Sequence, residues 1–389
     1  MKKKRILIVV SGNYDGAISR CSWNIYSAYK RHNEEYDVKC VLLQKVKNGM
    51  SEYNGMETYS EHTHGIFGKL FPTISKALWL KRIKKEFAAD YTISTLFSVN
   101  LINVLSGSKG KTIGIFHSPY KQGKSFGMLK YMASLLSYNF IYPWLDKLAC
   151  VSTEVQQSLG VFPLISQKKI EVIYNIHNIE SIISKSEINV MTDEEKSIFS
   201  NPTLLYCGRM DPNKAPDRAL LAFARSNRPE NAQIVFIGVD KGNLIPKLNA
   251  IAEKNNISDK IHILGKKDNP YPFFKQAHAL ISSSYSEGLP GVMIESLILG
   301  TPVVTTNSSK GIWEIFSATE NYDSKLSNIF ENECGCISSN LAYFDKSNEK
   351  IDNDNLKSAV DRIWNRKSTP IFKFKEMVLG DAIIKQLIQ

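Results

Sequence analysis

Residues 279–306 read Ala279-Leu-Ile-Ser-Ser-Ser-Tyr-Ser-Glu287-Gly288-Leu289-Pro290-Gly291-Val-Met-Ile-Glu295-Ser-Leu-Ile-Leu-Gly300-Thr-Pro302-Val-Val-Thr-Thr306. A short apolar run gives way to a loop built on Gly288, Pro290 and Gly291. An apolar stretch of helical period follows and stops at Gly300 before Thr301-Pro302, and a second β-branched run begins. The pattern is strand, loop, helix, strand, the repeating unit of a parallel sheet covered by helices. Glu287 then sits on the loop at the carboxyl edge of a strand, and Glu295 lies eight positions later inside the helix. A loop of this kind can offer backbone N–H groups to an anion or to sugar hydroxyls. Ionised carboxylates only accept hydrogen bonds, so a pair of them suits a polyol better than a phosphate.

The same pattern extends in both directions. Thr203–Cys207, Gln233–Ile237 and Ile261–Leu264 read as strands, with helical patterns at Asp217–Arg225 and Leu244–Lys254 between them. Upstream, Ile6–Val10, Val38–Leu43, Tyr91–Ser94, Thr112–Phe116, Lys147–Ser152 and Ile170–Tyr174 form a first series. A chain of 389 residues exceeds what one hydrophobic core serves, about 250–300 residues. The expected fold class is therefore α/β, with two Rossmann-like doubly wound domains at 1–178 and 201–370 facing across a cleft. Residues 179–200 read as a polar interdomain linker. Residues 371–389 read as a terminal helix that either packs on the second domain or crosses back to the first. Open sheets of this type bind ligands outside the carboxyl ends of their strands.

The second informative stretch is Leu204-Leu-Tyr-Cys-Gly208-Arg209-Met-Asp-Pro-Asn-Lys214-Ala-Pro-Asp-Arg-Ala-Leu220. A strand again ends in glycine, and two cations occupy the loop before a helix. Arg209 can grip phosphate oxygens with a planar fork, and Lys214 adds a point charge. Two cations can neutralise a diphosphate and stabilise the charge that grows on it when its bond to a sugar breaks, without a metal ion. In the first domain, His117 in Ile115-Phe-His-Ser-Pro119 ends a strand and is the candidate histidine. The other six are read as structural, and His62-Thr-His64 lacks further metal ligands.

Composition sets bounds. Apolar residues make up 43% and charged residues 22%, enough for ordinary cores. No run of eighteen apolar residues occurs, and Ile6–Val10 is too short for a signal peptide, so the expectation is a cytoplasmic protein, soluble or peripheral on the inner face of the membrane. Six scattered cysteines fit a reducing compartment, and Cys334-Gly-Cys336 has no neighbouring partner at zinc spacing. Asp352-Asn-Asp354 reads as a helix amino-end cap rather than a metal site. Charge is uneven: residues 1–178 hold 24 Lys+Arg against 12 Asp+Glu, or +12, leaving 25 against 26, or −1, for the remainder. Lys69, Lys76, Lys81, Arg82, Lys84 and Lys85 interleave with Phe67, Leu70, Phe71, Ile74, Leu78, Trp79 and Ile83. Lys121, Lys124 and Lys130 precede the apolar stretch Met132–Leu145. This reads as an amphipathic basic surface for an anionic membrane, with a solvated helix face as the rival, and no motif supports nucleic acid.

Gly208-Arg209-x4-Lys214, followed by Ser286-Glu287-Gly288-x6-Glu295 and Leu299-Gly300-Thr301-Pro302-Val303-Val304, resembles the retaining, two-domain GT-B glycosyltransferases of family 4. Further likenesses are Tyr174-Asn175-Ile-His-Asn for the family's interdomain segment, Val151-Ser152-Thr-Glu for its Val-Ser strand end, and Gly16-Ala17 where its first loop carries Gly-Gly. The resemblance implies that Glu287 holds the donor sugar near the reacting carbon and Glu295 the nucleotide ribose. It also implies that Arg209 and Lys214 hold the diphosphate, that His117 faces the donor sugar, and that Gly16, Ala17, Gly208, Gly288, Leu289, Pro290 and Gly291 offer backbone contacts. Ala17 departs from the pattern by adding a methyl group where the backbone approaches the diphosphate.

The activity implied is transfer of a sugar from a nucleoside diphosphate sugar, UDP being the commoner base, to a hydroxyl. Retention is a family property, and neither a metal nor a cofactor is expected. The basic first domain would seat a polyprenyl-diphosphate-linked saccharide, which places the enzyme in assembly of a bacterial surface polysaccharide such as O-antigen or capsule. A nucleotide-sugar epimerase of the same fold and a non-catalytic nucleotide-sugar-binding protein are the alternatives. A Rossmann dehydrogenase fits less well, because Ser11-Gly-Asn-Tyr-Asp-Gly16 is not the Gly-x-Gly-x-x-Gly of dinucleotide binding.

Overall fold

The computed structural model describes residues 2–12, 17–45, 53, 55–60, 71–107, 109–120, 132, 135–343, 345–366 and 373–389. The chain divides into two compact units, Met1–His177 with Met377–Gln389, and Asn178–Glu376.

In the first unit, β1 (Lys4–Val10), β2 (Tyr36–Leu42), β3 (Glu57–Thr58), β4 (Tyr91–Thr95), β5 (Lys111–Phe116), β6 (Lys147–Cys150) and β7 (Ile170–Val172) form one sheet in the order β3-β2-β1-β4-β5-β6-β7. Every neighbouring pair is parallel. The continuous apolar run Ile6–Val10 is buried throughout, as a central parallel strand covered on both faces requires. The closing helix Gly380–Leu387 belongs to this unit. Ile384 O accepts from Tyr29 Oη at 2.8 Å, and Gln386 O accepts from Lys147 Nζ at 2.8 Å.

The second unit repeats the plan. β8 (Thr203–Cys207), β9 (Gln233–Ile237), β10 (Ile261–Gly265), β11 (Ala279–Ser282), β12 (Val303–Thr306), β13 (Phe330–Asn332) and β14 (Gly335–Ser338) lie in the order β10-β9-β8-β11-β12-β14-β13, with only β13 antiparallel to its neighbour. Helices Pro216–Arg225 and Glu349–Trp364 cover one face, where Leu220, Phe223, Phe236, Leu356 and Ile363 share a core. Both sheets are the doubly wound, Rossmann-like arrangement of the GT-B fold.

Three sequence readings change. Residues 179–200 do not form a bare linker but carry helices Ile179–Ser186 and Asp193–Phe199, which bury Ile179, Ile182 and Phe199 in the second unit. Their polar composition hides an amphipathic period. Asp352 is not a cap. Helix Glu349–Trp364 is preceded by Asn348, and the fully buried Asp352 turns inward from its first turn to accept from Leu341 N, Ala342 N and Ser339 Oγ. The basic cluster of helix Pro72–Phe87 is split as well. Lys76 and Lys84 are buried, Lys76 beside the Tyr59 ring and Lys84 donating to Asn103 O at 2.9 Å, while Lys81, Arg82 and Lys85 remain outside. Lys69, Lys121, Lys124, Lys130, Phe67, Leu70, His62 and His64 lie outside the described residues.

Candidate donor-sugar site

The strand order of the second unit reverses at β8 and β11, which pair with each other through Leu204↔Ala279 and Leu205↔Leu280. Connections leave these two strands in opposite directions, and the crevice at such a reversal is where open α/β sheets hold ligands. The loop after β8 carries Gly208, Arg209 and Lys214. The loop after β11 carries Glu287 to Gly291.

The first loop is shaped by its own polar residues. Asp211 Oδ1 accepts from Asn213 N at 3.1 Å and Lys214 N at 3.0 Å, a turn that Pro212 favours by its fixed φ. Tyr206, on β8, donates to Arg209 O at 2.9 Å, and burial raises its phenol pKa, so the donor proton stays in place. Arg209 lies 3.4 Å from Asp211 Oδ2 with half its side chain exposed. Lys214 turns toward the other loop.

The second loop is pinned from several sides. Ser284 O accepts from Thr306 Oγ1 at 2.6 Å, Ser286 O accepts from Asn213 Nδ2 at 2.9 Å, and Glu287 N donates to Ser308 O at 3.1 Å. Gly288 O accepts from Ser309 Oγ at 3.0 Å. A methyl group added to Gly311 would lie 2.2 Å from Gly288 O, so only glycine lets these two turns touch. Pro290 precedes helix Gly291–Ile298, whose amino end has no side-chain cap. Leu289 and Pro290 are buried, and Gly300, with φ 78°, closes the connection to β12.

Lys214 Nζ and Glu287 Oε1 meet at 2.6 Å, largely shielded from solvent. The structure thus joins one cation and one acid of the sequence reading. Arg209 pairs within its own loop, and Glu295, buried in the helix, receives a hydrogen bond from Tyr271 Oη at 3.2 Å. Sequence reasoning missed Tyr271 and Asn213. Tyr271 is 24 residues from Glu295 and no local spacing links them, whereas Asn213 lay in the quoted loop and could have been weighed as a bridge.

In the first unit, His117 follows β5. Its Nε2 is buried without a hydrogen bond, and burial pushes the ring down to about 4, so the imidazole is neutral near pH 7. Ala17 opens helix Ala17–Arg31, its side chain outside the described residues. Gly16 also lies outside them.

Residues 191–324, which include both loops, match the family model described as glycosyl transferases group 1. The chain is a glycosyltransferase. The transferase is 22% identical over 331 residues to an uncharacterized glycosyltransferase of Methanocaldococcus jannaschii, covering 81% of this chain and 80% of that one. It is 30% identical over 191 residues, 49% of this chain and 48% of the other, to the N-acetylgalactosamine-N,N'-diacetylbacillosaminyl-diphospho-undecaprenol 4-alpha-N-acetylgalactosaminyltransferase of Campylobacter jejuni. Among solved structures, Anabaena HepE in complex with UDP and glucose superposes with a TM-score of 0.68 at 14% identity over 99% of this chain and 98% of that one. WaaG, a glycosyltransferase involved in lipopolysaccharide biosynthesis, gives 0.61 at 14% identity over 98% and 94%. At these identities the structural likeness establishes the shared fold.

Proposed function

We propose that this transferase is a retaining, family 4 enzyme that moves a sugar from a UDP-sugar to a hydroxyl of a polyprenyl-diphosphate-linked saccharide during assembly of a bacterial surface polysaccharide. The observation that carries the reading is the meeting of Lys214 and Glu287 at 2.6 Å on the two loops that leave the sheet's reversal point. An ammonium there faces the diphosphate and a carboxylate the sugar hydroxyls, so one contact spans the bond that breaks. Arg209 adds the second positive charge, the buried Glu295 takes the ribose hydroxyls, and backbone from Gly288 to Gly291 meets the sugar. In the reaction the acceptor oxygen bonds to the anomeric carbon as the bond from that carbon to the diphosphate oxygen breaks. The acceptor's proton passes to the departing phosphate, whose charge Lys214 and Arg209 stabilise. The neutral His117 is the first unit's candidate hydrogen-bonding group. With two cations at the leaving group, turnover needs no metal and withstands EDTA.

The acceptor reading rests on the first unit's charge and on relatives whose names specify undecaprenol-linked substrates. Large apolar side chains stand in solvent there: Phe71, Ile74 and Leu78 on one helix, and Met132, Leu136, Phe140 and Trp144 beyond it. Lys81, Arg82 and Lys85 continue the first of these stripes, a pattern suited to an anionic bilayer on the cytoplasmic side.

Labelled UDP- and GDP-sugars presented with a bacterial membrane extract test the whole reading. The expected result is nucleoside diphosphate release coupled to label entering the lipid fraction. Epimerised nucleotide sugar without acceptor, or no turnover of any donor, overturns it.

A further inference from the structure

Behind the Glu287 loop lies a guanidinium with too few partners. Arg218, in the first turn of helix Pro216–Arg225, is 1% exposed. Its Nη1 donates to Asn340 Oδ1 at 3.0 Å and to Ser283 O at 3.4 Å. Its Nη2 lies 3.7 Å from Asp352 Oδ2, beyond hydrogen-bond reach, and neither Nε nor Nη2 makes a hydrogen bond. The Asp352 carboxylate is engaged instead by Ser339, Leu341 and Ala342. Taking a cation out of water costs several kcal/mol, and an apolar side chain of similar size often serves a core as well. Packing alone therefore does not account for arginine here.

What the guanidinium does touch is the segment that presents Glu287. Its Cζ lies 4.6 Å from the centroid of the Tyr285 ring while its edge donates to Ser283 O. Asn340, which it holds through Oδ1, donates from Nδ2 to Tyr285 O at 2.8 Å. From the opposite side, Tyr285 N donates to Asn213 O at 2.8 Å, next to Lys214. The segment is thus gripped in front by the cationic loop and behind by Arg218. Only a planar cation can stack on a ring with its face and donate hydrogen bonds with its edge, and lysine cannot do both.

We infer that Arg218 is a positioning residue which, by stacking under Tyr285 and bonding Ser283 and Asn340, fixes where Glu287 stands beside Lys214. The inference rests on the reading of Lys214 and Glu287 as the donor-sugar site.

Four variants, Tyr285→Leu, Tyr285→Phe, Arg218→Lys and Arg218→Met, are compared with wild type by steady-state turnover of the UDP- or GDP-sugar that supports release, by calorimetric titration with UDP and GDP, and by thermal unfolding. Tyr285→Leu is expected to lower kcat tenfold or more, with nucleotide affinity within about threefold and Tm within about 3 °C. Tyr285→Phe, which keeps the stack, stays within about threefold of wild-type kcat, and Arg218→Lys resembles Tyr285→Leu. Adding Arg218→Met to Tyr285→Leu lowers kcat by clearly less than the product of the two single effects, because both remove the stack. If the Arg218 variants fail to fold, the half-buried Tyr285 pair decides the question. Unchanged kcat in Tyr285→Leu, or a loss that only tracks the folded fraction, overturns the positioning role while leaving the donor site standing. Wild type that binds neither nucleotide, or full turnover by Glu287→Ala, overturns the donor site and this inference with it.

Discussion

Lys214 and Glu287, 73 positions apart in the chain, form a 2.6 Å ion pair between the loops that follow β8 and β11. On the proposed reading the two groups have separate duties on one ligand, so their contribution to stability and to catalysis should diverge. A partly shielded pair contributes about 1 kcal/mol to folding, whereas a charge aimed at a leaving group or a reacting sugar is worth about 10²–10³ in rate. Glu287→Ala and Lys214→Ala are each expected to reduce kcat by about 10²–10³ with Tm nearly unchanged. The double variant should fall well short of the product of the single effects, since the residues act on one bond. Circular dichroism melts beside turnover measurements check this, and activity losses matched by equal losses of stability would remove both residues from the chemistry.

Tyr271 holds the Glu295 carboxylate from outside the helix that carries it. On the proposed reading, removing its hydroxyl takes one hydrogen bond from the acid that meets the ribose, which weakens nucleotide binding more than the bond-breaking step. Tyr271→Phe should raise KM for the nucleotide sugar about three- to tenfold with kcat within twofold, on the order of 1 kcal/mol for one hydrogen bond. An unchanged KM would detach Glu295 from the nucleotide.

The two loops were legible because each follows a buried apolar strand and opens with glycine, features that hydrophobic period and Gly/Pro punctuation expose. Their meeting was legible only as far as two strands of one doubly wound sheet must be neighbours for their loops to touch. What could not be read were contacts set by tertiary register. Tyr271 reaching Glu295 and Arg218 reaching Tyr285 and Asp352 depend on how helices lie on the sheet, and their spacings carry no period. Asp352 departs from its sequence pattern for a related reason: an acid near a helix start is ordinarily a cap, and only packing shows that its carboxylate serves the turn at 339–342. The sequence does not separate Lys76 and Lys84 from the surface charges, because helical period assigns faces only when the apolar stripe is clean, and here lysines occupy buried positions within it.

Acid should weaken the first unit. Burial, with Arg20 nearby, holds His177 down to about 4, and burial alone does the same to His117. Unfolded histidines titrate near 6.5. Between those values the unfolded chain binds more protons than the folded one, so stability falls as pH drops from about 6.5 toward 4 and is fully present above that window. Urea melts at pH 7.5, 6 and 5 should show this decline, and His177→Gln should flatten it by about 1–3 kcal/mol at pH 5. A slope unchanged by the substitution would place the acid sensitivity elsewhere.

The membrane reading turns on which side chains share a face. Phe71, Ile74 and Leu78 follow a helical period that continues into Lys81, Arg82 and Lys85, and none of the six is buried. Apolar side chains gain by entering the acyl boundary, while each nearby cation adds about 1 kcal/mol of attraction to anionic headgroups at low salt. Wild-type protein should sediment with vesicles containing 30% phosphatidylglycerol and much less with pure phosphatidylcholine, and 0.5 M NaCl should release most of it. Ile74→Glu with Leu78→Glu is expected to cut the bound fraction at least fivefold, and so is Arg82→Gln with Lys85→Gln. Lys254→Gln, an exposed cation of the second unit, serves as the control and should bind as wild type. Because soluble acceptor analogues need no bilayer, the same variants should keep their turnover on a water-soluble acceptor while losing it on lipid-embedded substrate. Equal vesicle binding by all of them would show that this face does not meet lipid.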